Sequence, residues 1–155
     1  MNPEEIHQIK KTWEIPMENP AESGAAILLQ FFTKYPSNLQ KFSAFKDSPI
    51  PELPNNPRFK AHAVRIIRVF DDSIQLLGYD VAAEKLEEMW SKIATSHFHR
   101  QIQRQSFNEL KEVILEVLTA ACSLNEQQIA AWSKLMDIVY SIVFQKLDKL
   151  ESGEQ

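Results

Sequence analysis

The sequence predicts an all-α protein, and three observations lead to that class. Apolar residues recur at steps of three and four along nearly the whole chain, which is the period of an amphipathic helix. Asparagine–proline pairs stand where helices are expected to start. No segment alternates apolar and polar residues as a half-buried strand does. With 155 residues, the chain is expected to form a single domain over residues 1–155, with an ordered core at about 3–150.

Prolines divide the beginning of the chain into helices. The first helix is expected to begin after Asn2 and to stop at Pro16. The second, from Ala21 to about Tyr35, is apolar on nearly every side, which predicts that it is buried. Gly24 in its interior costs about 1 kcal/mol relative to Ala. A close crossing by another helix would explain that glycine.

A segment rich in helix breakers precedes the longest predicted helix of the first half. A short helical turn is expected between Pro36 and Phe42, and residues 43–56, with three prolines, are expected to be a loop. Asn56 then opens a helix that runs to about Leu77, with Gly78 as its stop signal.

Three more helices are expected in the second half of the chain. Asp80 is expected to cap the helix that ends near His97. The stretch 106–109 fits a capping box for the next helix, although that helix could begin a few residues earlier. The stretch 123–126 is expected to cap the last helix.

Composition excludes several classes of function. The hydrophobic share of 44% and the charged share of 25% are typical of globular proteins. The charge of −4, without a basic stripe interleaved with aromatics, gives no expectation of nucleic-acid binding. Gly24, Gly78 and Gly153 are too scattered for a glycine-rich phosphate loop or a dinucleotide fingerprint. Cys122 stands alone, which excludes an internal disulfide and a cysteine-based zinc site.

The N-terminal residues and the apolar runs bear on location. The opening residues are acidic and polar, unlike a signal peptide. No apolar run approaches the ~20 residues that a membrane span needs. We therefore expect no membrane association and a cytoplasmic location.

Two histidines stand on apolar helix faces. His97 follows Ile93 by four residues, and His62 precedes Ile66 by four, so each continues an apolar stripe. Each is either a core histidine whose ring is satisfied by a carbonyl or a neutral metal ligand. Two imidazoles alone make a poor zinc site, and His99 leaves the stripe. A heme iron needs only one axial imidazole, because the porphyrin supplies four nitrogens.

Several common residues follow one another in a specific order and spacing along the chain: Trp13, Gly24, Tyr35, Pro36, Phe42, Phe45, His62, Ile66, His97 and Phe107. In that order the chain, from Ile6 to about Leu147, resembles the globin family. Residues 11–16, 23–28, 65–70 and 118–123 further resemble the intracellular hemoglobins of flies. The resemblance implies a globin fold of six to eight helices packed around a heme.

The resemblance also implies roles for single residues around heme b, iron protoporphyrin IX. His97 matches the proximal ligand of the iron, with His99 as a rival that matches less well in register. His62 matches the distal histidine, which hydrogen-bonds the bound ligand or acts as a sixth ligand. The carbonyl of Ile93, one turn before His97, is expected to accept the ring N–H, since last-turn carbonyls lack helical partners. Heme contacts are further implied for Phe42, Phe45, Leu28, Arg65, Ile66, Ile93 and Phe107.

The function that the resemblance implies is reversible binding of O2 for storage or transport. CO and NO are expected as further ligands, the protein is expected to be a monomer or a weak homodimer, and no enzymatic role is expected. The alternative is a six-coordinate globin with redox, NO dioxygenase or peroxidase-type activity. A cofactor-free helical interaction module is the remaining candidate. The 35 residues from His62 to His97 exceed the spacing in vertebrate myoglobin-like chains, so an extended corner is expected at residues 78–82.

Overall fold

The fold consists of helices and their connections over residues 1–153, which the computed structural model describes. Within that part of the chain no residue forms a strand, so the predicted all-α class is confirmed. The predicted polar tail includes residues 154 and 155, which lie outside the described residues. Six α-helices are present in residues 1–153: α1 (Pro3–Trp13), α2 (Pro20–Lys34), α3 (Pro57–Leu76), α4 (Ala82–His99), α5 (Arg104–Ala121) and α6 (Glu126–Glu151). The same residues include three short 3₁₀-helices: Pro16–Glu18, Pro36–Lys41 and Ile50–Asn55.

Asparagine side chains cap four of the α-helices. Asn2 and Asn125 form capping boxes with the residue three positions later, and their Oδ1 atoms accept an amide N–H at 2.8 Å. Asn19 and Asn56 cap α2 and α3 in the same way, without the reciprocal bond to the cap backbone. Each bond satisfies an N–H in the first turn, which has no partner within the helix. The predicted starts of α1, α2 and α3 are confirmed.

The helices α4 and α5 start differently from the prediction. Val81 is the N-cap of α4 and makes no side-chain cap, so the cap predicted at Asp80 is wrong. The helix α5 begins at Arg104, which makes the predicted capping box at Ser106 wrong and the earlier start right. Ser106 is buried, and its hydroxyl donates a hydrogen bond to Asn38 Oδ1. A long-range contact therefore takes the hydroxyl that the capping pattern assigned to the helix terminus.

The proline-rich segment holds more structure than the sequence predicts. Residues 50–55, expected to be part of a loop, form a 3₁₀-helix. Pro51 stands in its first turn, where a missing amide N–H costs nothing, because that N–H has no helical partner. Leu53 of this helix is fully buried and anchors the segment to the core.

The core divides into two groups of buried side chains. The larger group draws side chains from all six α-helices, and Trp132 is its largest fully buried member. The second group, which we name the phenylalanine cluster, lies between α2, the proline-rich corner and the start of α3. Ile66, Leu110 and Val117 are partly buried and pack against both groups, so they mark the boundary between them. The phenylalanine cluster comprises Leu28, Phe31, Phe32, Leu39, Phe45, Leu53, Phe59, Ala63 and Val113.

The helix α2 crosses α3 in backbone contact at Gly24. A Cβ atom added to Gly24 would lie 2.3 Å from the carbonyl oxygen of Ala63 and 3.1 Å from a side-chain carbon of Ile67. No side chain fits at such a distance, so the close crossing predicted from this glycine is confirmed. None of the helices in residues 1–153 is long and apolar enough to cross a membrane.

The crossing gives a first prediction. Gly24→Ala should lower the free energy of unfolding by about 2 kcal/mol or more, because the new methyl group overpacks the backbone contact. Ala26→Gly is the matched control on the exposed side of α2, and it should cost only about 1 kcal/mol through helix propensity. Urea unfolding followed by circular dichroism measures both. Equal or raised stability of Gly24→Ala would contradict the close crossing.

Candidate functional site

The two histidines of the site are half-buried and uncharged. His62 lies in the second turn of α3, and His97 lies in the last turn of α4. Burial lowers the pKa of His62 from 6.5 to about 4; the charges of Arg65 and Arg100 lower it further, and so does His97 when its own ring is protonated at low pH. Burial also lowers the pKa of His97, against the opposing effect of its hydrogen bond to the Ile93 carbonyl. Both rings are therefore neutral at pH 7, the form in which a ring nitrogen binds a metal.

A hydrogen bond at the end of α4 fixes the tautomer of His97. Its Nδ1 lies 2.7 Å from the carbonyl oxygen of Ile93, as the sequence predicts. A carbonyl oxygen only accepts, so Nδ1 carries the proton and Nε2 keeps its lone pair. Because α4 continues to His99, the Ile93 carbonyl is not one of the terminal carbonyls without helical partners, and the reason expected from the sequence is wrong although the bond is present. The bond holds the orientation of the ring. Nε2 is thus available as a metal ligand.

Aromatic side chains hold His62 on the other side of the site. The ring of Phe42 meets the imidazole edge to face, with centroids 5.0 Å apart. Phe42 in turn stacks on Phe45 at 5.1 Å and packs edge to face on Phe32 at 5.2 Å. Phe45 is buried against Phe59 of α3. The phenylalanine cluster therefore supports the imidazole through Phe42, which is itself half-buried.

The ring of Phe107 packs against His97. The two ring centroids are 5.2 Å apart, and the planes are tilted by 55°. Phe107 begins the second turn of α5 and also contacts Tyr140 and Phe144 of α6, each at 6.4 Å. This side of the site is consequently anchored on α5 and α6.

The remaining predicted site residues lie in different surroundings. Leu28 is buried in the phenylalanine cluster, and Ile66 is partly buried at the boundary between the two core groups. Ile93 is partly buried against the larger group and supplies the carbonyl to His97. Arg65 is exposed. His99, the rival of His97, is exposed as well, with its ring against Phe98.

Sequence reasoning missed a polar contact beside the aromatic residues. Asn38 and Ser106 are buried and hydrogen-bonded to each other across 68 positions, and Lys41 donates to the same serine. Ser106 directly precedes Phe107, and Lys41 directly precedes Phe42. The sequence signal for this contact is that two polar residues each directly precede a predicted site phenylalanine. A search for apolar stripes does not detect such pairs.

The donor set fits a heme better than a directly bound ion. Two neutral imidazoles leave a tetrahedral metal site short of ligands. Within residues 1–153 no group of three or more histidine, cysteine or acidic side chains is placed to hold a metal. A heme brings four nitrogens of its own and needs one axial imidazole, which His97 offers in the required tautomer. Phe42, Ile66 and Ile93 are apolar and only partly buried, so they could contact a flat apolar ring.

Comparison with known proteins gives consistent matches. Residues 25–143 match the family model described as Globin. A Drosophila melanogaster globin is 60% identical, with a TM-score of 0.91 and 94% of each chain covered. A second structure is of the hexa-coordinate hemoglobin of Drosophila melanogaster and concerns cyanide binding and conformational transitions of the heme cavity. It is 60% identical, with a TM-score of 0.90, and the match covers 93% of this chain and 94% of the fly chain. The hemoglobin of the botfly Gasterophilus intestinalis is 40% identical, with a TM-score of 0.87, covering 96% of this chain and 100% of its own.

The low pKa of His62 gives a prediction for the heme-free chain. Because the folded value of about 4 lies below the ordinary 6.5, the unfolded chain binds the proton first as the pH falls. The contribution of His62 to the free energy of unfolding should be fully present above about pH 6.5. It should be lost between pH 6.5 and about pH 4, by up to roughly 3 kcal/mol. Urea unfolding at several pH values should show a smaller decrease in the free energy of unfolding for His62→Gln than for the wild type. Parallel profiles for the two proteins would contradict the assignment.

Proposed function

The chain belongs to the globin family and is similar to the hemoglobins of flies, and on that premise we propose that it holds heme b through His97 and binds O2 reversibly beside His62. The proposal covers one globin domain over residues 1–155. The observation that carries it is the hydrogen bond from His97 Nδ1 to the Ile93 carbonyl, which leaves Nε2 free. The family resemblance and the edge-to-face contact between Phe42 and His62 support it.

The chain's own residues divide the work. A heme would supply four porphyrin nitrogens and, when reduced, an iron that binds a diatomic gas. His97 would hold the iron through Nε2, and the Ile93 carbonyl would keep that ring oriented and raise its basicity. His62, neutral at pH 7, would donate a ring N–H to the gas molecule in a low-dielectric pocket. Leu28 and Phe42 would exclude water from the same side.

A second candidate gives His62 a different task. In the six-coordinate candidate, a ring nitrogen of His62 would itself bind the iron whenever no gas is bound. The match to a fly hemoglobin described as hexa-coordinate supports this candidate, and so does the low pKa of His62, which keeps a lone pair available. The apparent gas affinity then falls by the fraction of molecules in which His62 is bound.

We propose storage or transport of O2 as the physiological role, because globins are generally non-enzymatic oxygen-binding proteins. CO and NO would bind at the same position. We place the protein in the cytoplasm as a monomer or a weak homodimer, and Cys122, a half-buried free thiol, is compatible with reducing conditions. NO dioxygenase or peroxidase-type activity at the same heme is the enzymatic alternative, which steady-state turnover with a supplied reductant or peroxide would reveal.

Loss of the proximal ligand is the first test. His97→Ala should lose heme during purification, because no other side chain replaces the oriented Nε2. His99→Ala is the matched control, two residues away and exposed, and it should keep one heme per chain. The absorption spectrum, recorded ferric, reduced and reduced with CO, measures heme content and gas binding. A colourless wild-type protein after heme addition, or loss of heme in His99→Ala alone, would overturn the proposal.

Removal of the distal ring tests both candidates for His62. His62→Leu should release O2 roughly tenfold faster, because one hydrogen bond of about 1–1.5 kcal/mol is lost. In the six-coordinate candidate, CO binding to the reduced wild type reaches a limiting rate at high CO, and the variant abolishes that limit. Stopped-flow mixing measures both quantities. An unchanged O2 release rate rules out the hydrogen bond, and a linear CO dependence in both proteins rules out six-coordination.

A further inference from the structure

Asn38 and Ser106 differ from the other buried polar residues, Thr12 and Ser73, in their hydrogen-bond partners. Thr12 and Ser73 each accept an indole N–H from a buried tryptophan and donate to the preceding turn. Asn38 and Ser106, 1% and 6% exposed, pair with each other instead, with 2.7 Å between the serine Oγ and the asparagine Oδ1. The serine hydroxyl donates, because the amide oxygen only accepts. The bond joins the 3₁₀-helix Pro36–Lys41 to the first turn of α5.

Lys41 completes this arrangement, and we name Asn38, Lys41 and Ser106 the corner cluster. Lys41 Nζ lies 2.5 Å from Ser106 Oγ and 3.5 Å from Asn38 Oδ1, and it donates to both. The Asn38 amide nitrogen donates to Glu109 Oε1 at 3.1 Å, so an ammonium and a carboxylate lie at opposite ends of the chain of bonds. Charge-assisted bonds of this kind are stronger than neutral ones.

Each end of the corner cluster is followed directly by an aromatic residue that contacts one of the two histidines. Phe42 follows Lys41, and its ring lies 5.0 Å from that of His62. Phe107 follows the serine of the cluster, and its ring lies 5.2 Å from that of His97. The corner cluster therefore lies one residue from each of the two aromatic contacts.

The backbone on the Phe42 side depends on such support. The residues before Phe42 form a 3₁₀-helix, whose hydrogen bonds have poorer geometry than those of an α-helix. The amide of Phe42 bonds back to the Leu39 carbonyl, and the chain continues through turns to the next 3₁₀-helix at Ile50. By contrast, α5 is a regular helix of 18 residues. The corner cluster thus ties a weakly braced segment to a rigid one.

We infer that the corner cluster is a positioning device, which holds Phe42 against the start of α5 and so fixes the two histidine-contacting aromatics relative to each other. The inference rests on the proposed function, because it gives those aromatics their role beside the heme. Asn38, Lys41 and Ser106 act through Phe42 and Phe107. Their effect on the heme site is therefore indirect, and it should be separable from their contribution to stability.

The test compares two buried serines. Ser106→Ala removes the hydroxyl of the corner cluster, and Ser73→Ala removes a buried hydroxyl on α3 that bonds Trp90. Ser106→Thr keeps the hydroxyl and serves as the rescue variant. Hydrogen–deuterium exchange of peptides covering residues 36–48, in heme-free and heme-loaded protein, reports on the corner. The rate of heme transfer to an excess of a heme scavenger reports on the site.

The expected outcome separates positioning from stability. Ser106→Ala should exchange at least fivefold faster at residues 36–48 and lose heme at least tenfold faster. Ser73→Ala should change neither rate more than twofold, and Ser106→Thr should return both rates to within threefold of the wild type. Unchanged exchange in Ser106→Ala, or equal heme loss in the two alanine variants, would overturn the inference. A wild type that takes up no heme would instead overturn the proposed function, and exchange in the heme-free chain would still decide the positioning role.

A milder variant covers the case in which Ser106→Ala fails to fold. Lys41→Met removes the ammonium and keeps most of the length of an otherwise exposed side chain. It should speed exchange at residues 36–48 and heme loss at least threefold. Lys46→Met, at an exposed lysine of the same corner, is the matched control and should leave both rates unchanged. Equal rates in the two methionine variants would contradict the inference.

Discussion

The backbone contact between α2 and α3 at Gly24 determines where the site can form. Ala63, whose carbonyl lies in the space that a Cβ at Gly24 would need, directly follows His62 in the sequence. The crossing therefore fixes the N-terminal part of α3 and, with it, the backbone of His62. One and two turns further along α2, Leu28 and Phe32 enter the phenylalanine cluster, on which Phe42 packs. Gly24 thus allows α2, which carries one wall of the site, to lie directly against the part of α3 that carries His62.

Local rules account for the features that were predicted correctly. The bond between His97 and the Ile93 carbonyl follows from a spacing of four residues on one helix, which places the ring beside the carbonyl one turn earlier. The asparagine caps follow from the same kind of rule at helix starts. Gly24 was informative because its cost in a helix interior requires compensation by packing. Helix class, helix order and the partial burial of both histidines therefore lay within reach of the sequence.

Long-range contacts account for what was missed. Ser106 stands in a good capping pattern, but its hydroxyl bonds Asn38, a residue that no local rule connects to it. Asp80 has the right chemistry for a cap, yet α4 starts from Val81 without one, because packing of a helix can replace the contribution of a cap. The 3₁₀-helix at residues 50–55 depends on the burial of Leu53, which is decided by the helices around it. The sequence holds these residues, but their partners exist only in the folded chain.

The ligand chemistry of such a site depends on free energies smaller than those that hold the fold together. A tenfold change in the equilibrium between a free and an iron-bound His62 corresponds to about 1.4 kcal/mol. Leaving one buried polar group unpaired costs about 1–3 kcal/mol, which is the same size. Under the proposed function, a side chain that lies one residue from an aromatic contact, as Ser106 does, would therefore shift that equilibrium without disturbing the helices. In the proposed function, the two histidines would therefore specify which chemistry is possible, whereas the packing around Phe42 and Phe107 would specify how tightly a gas is held.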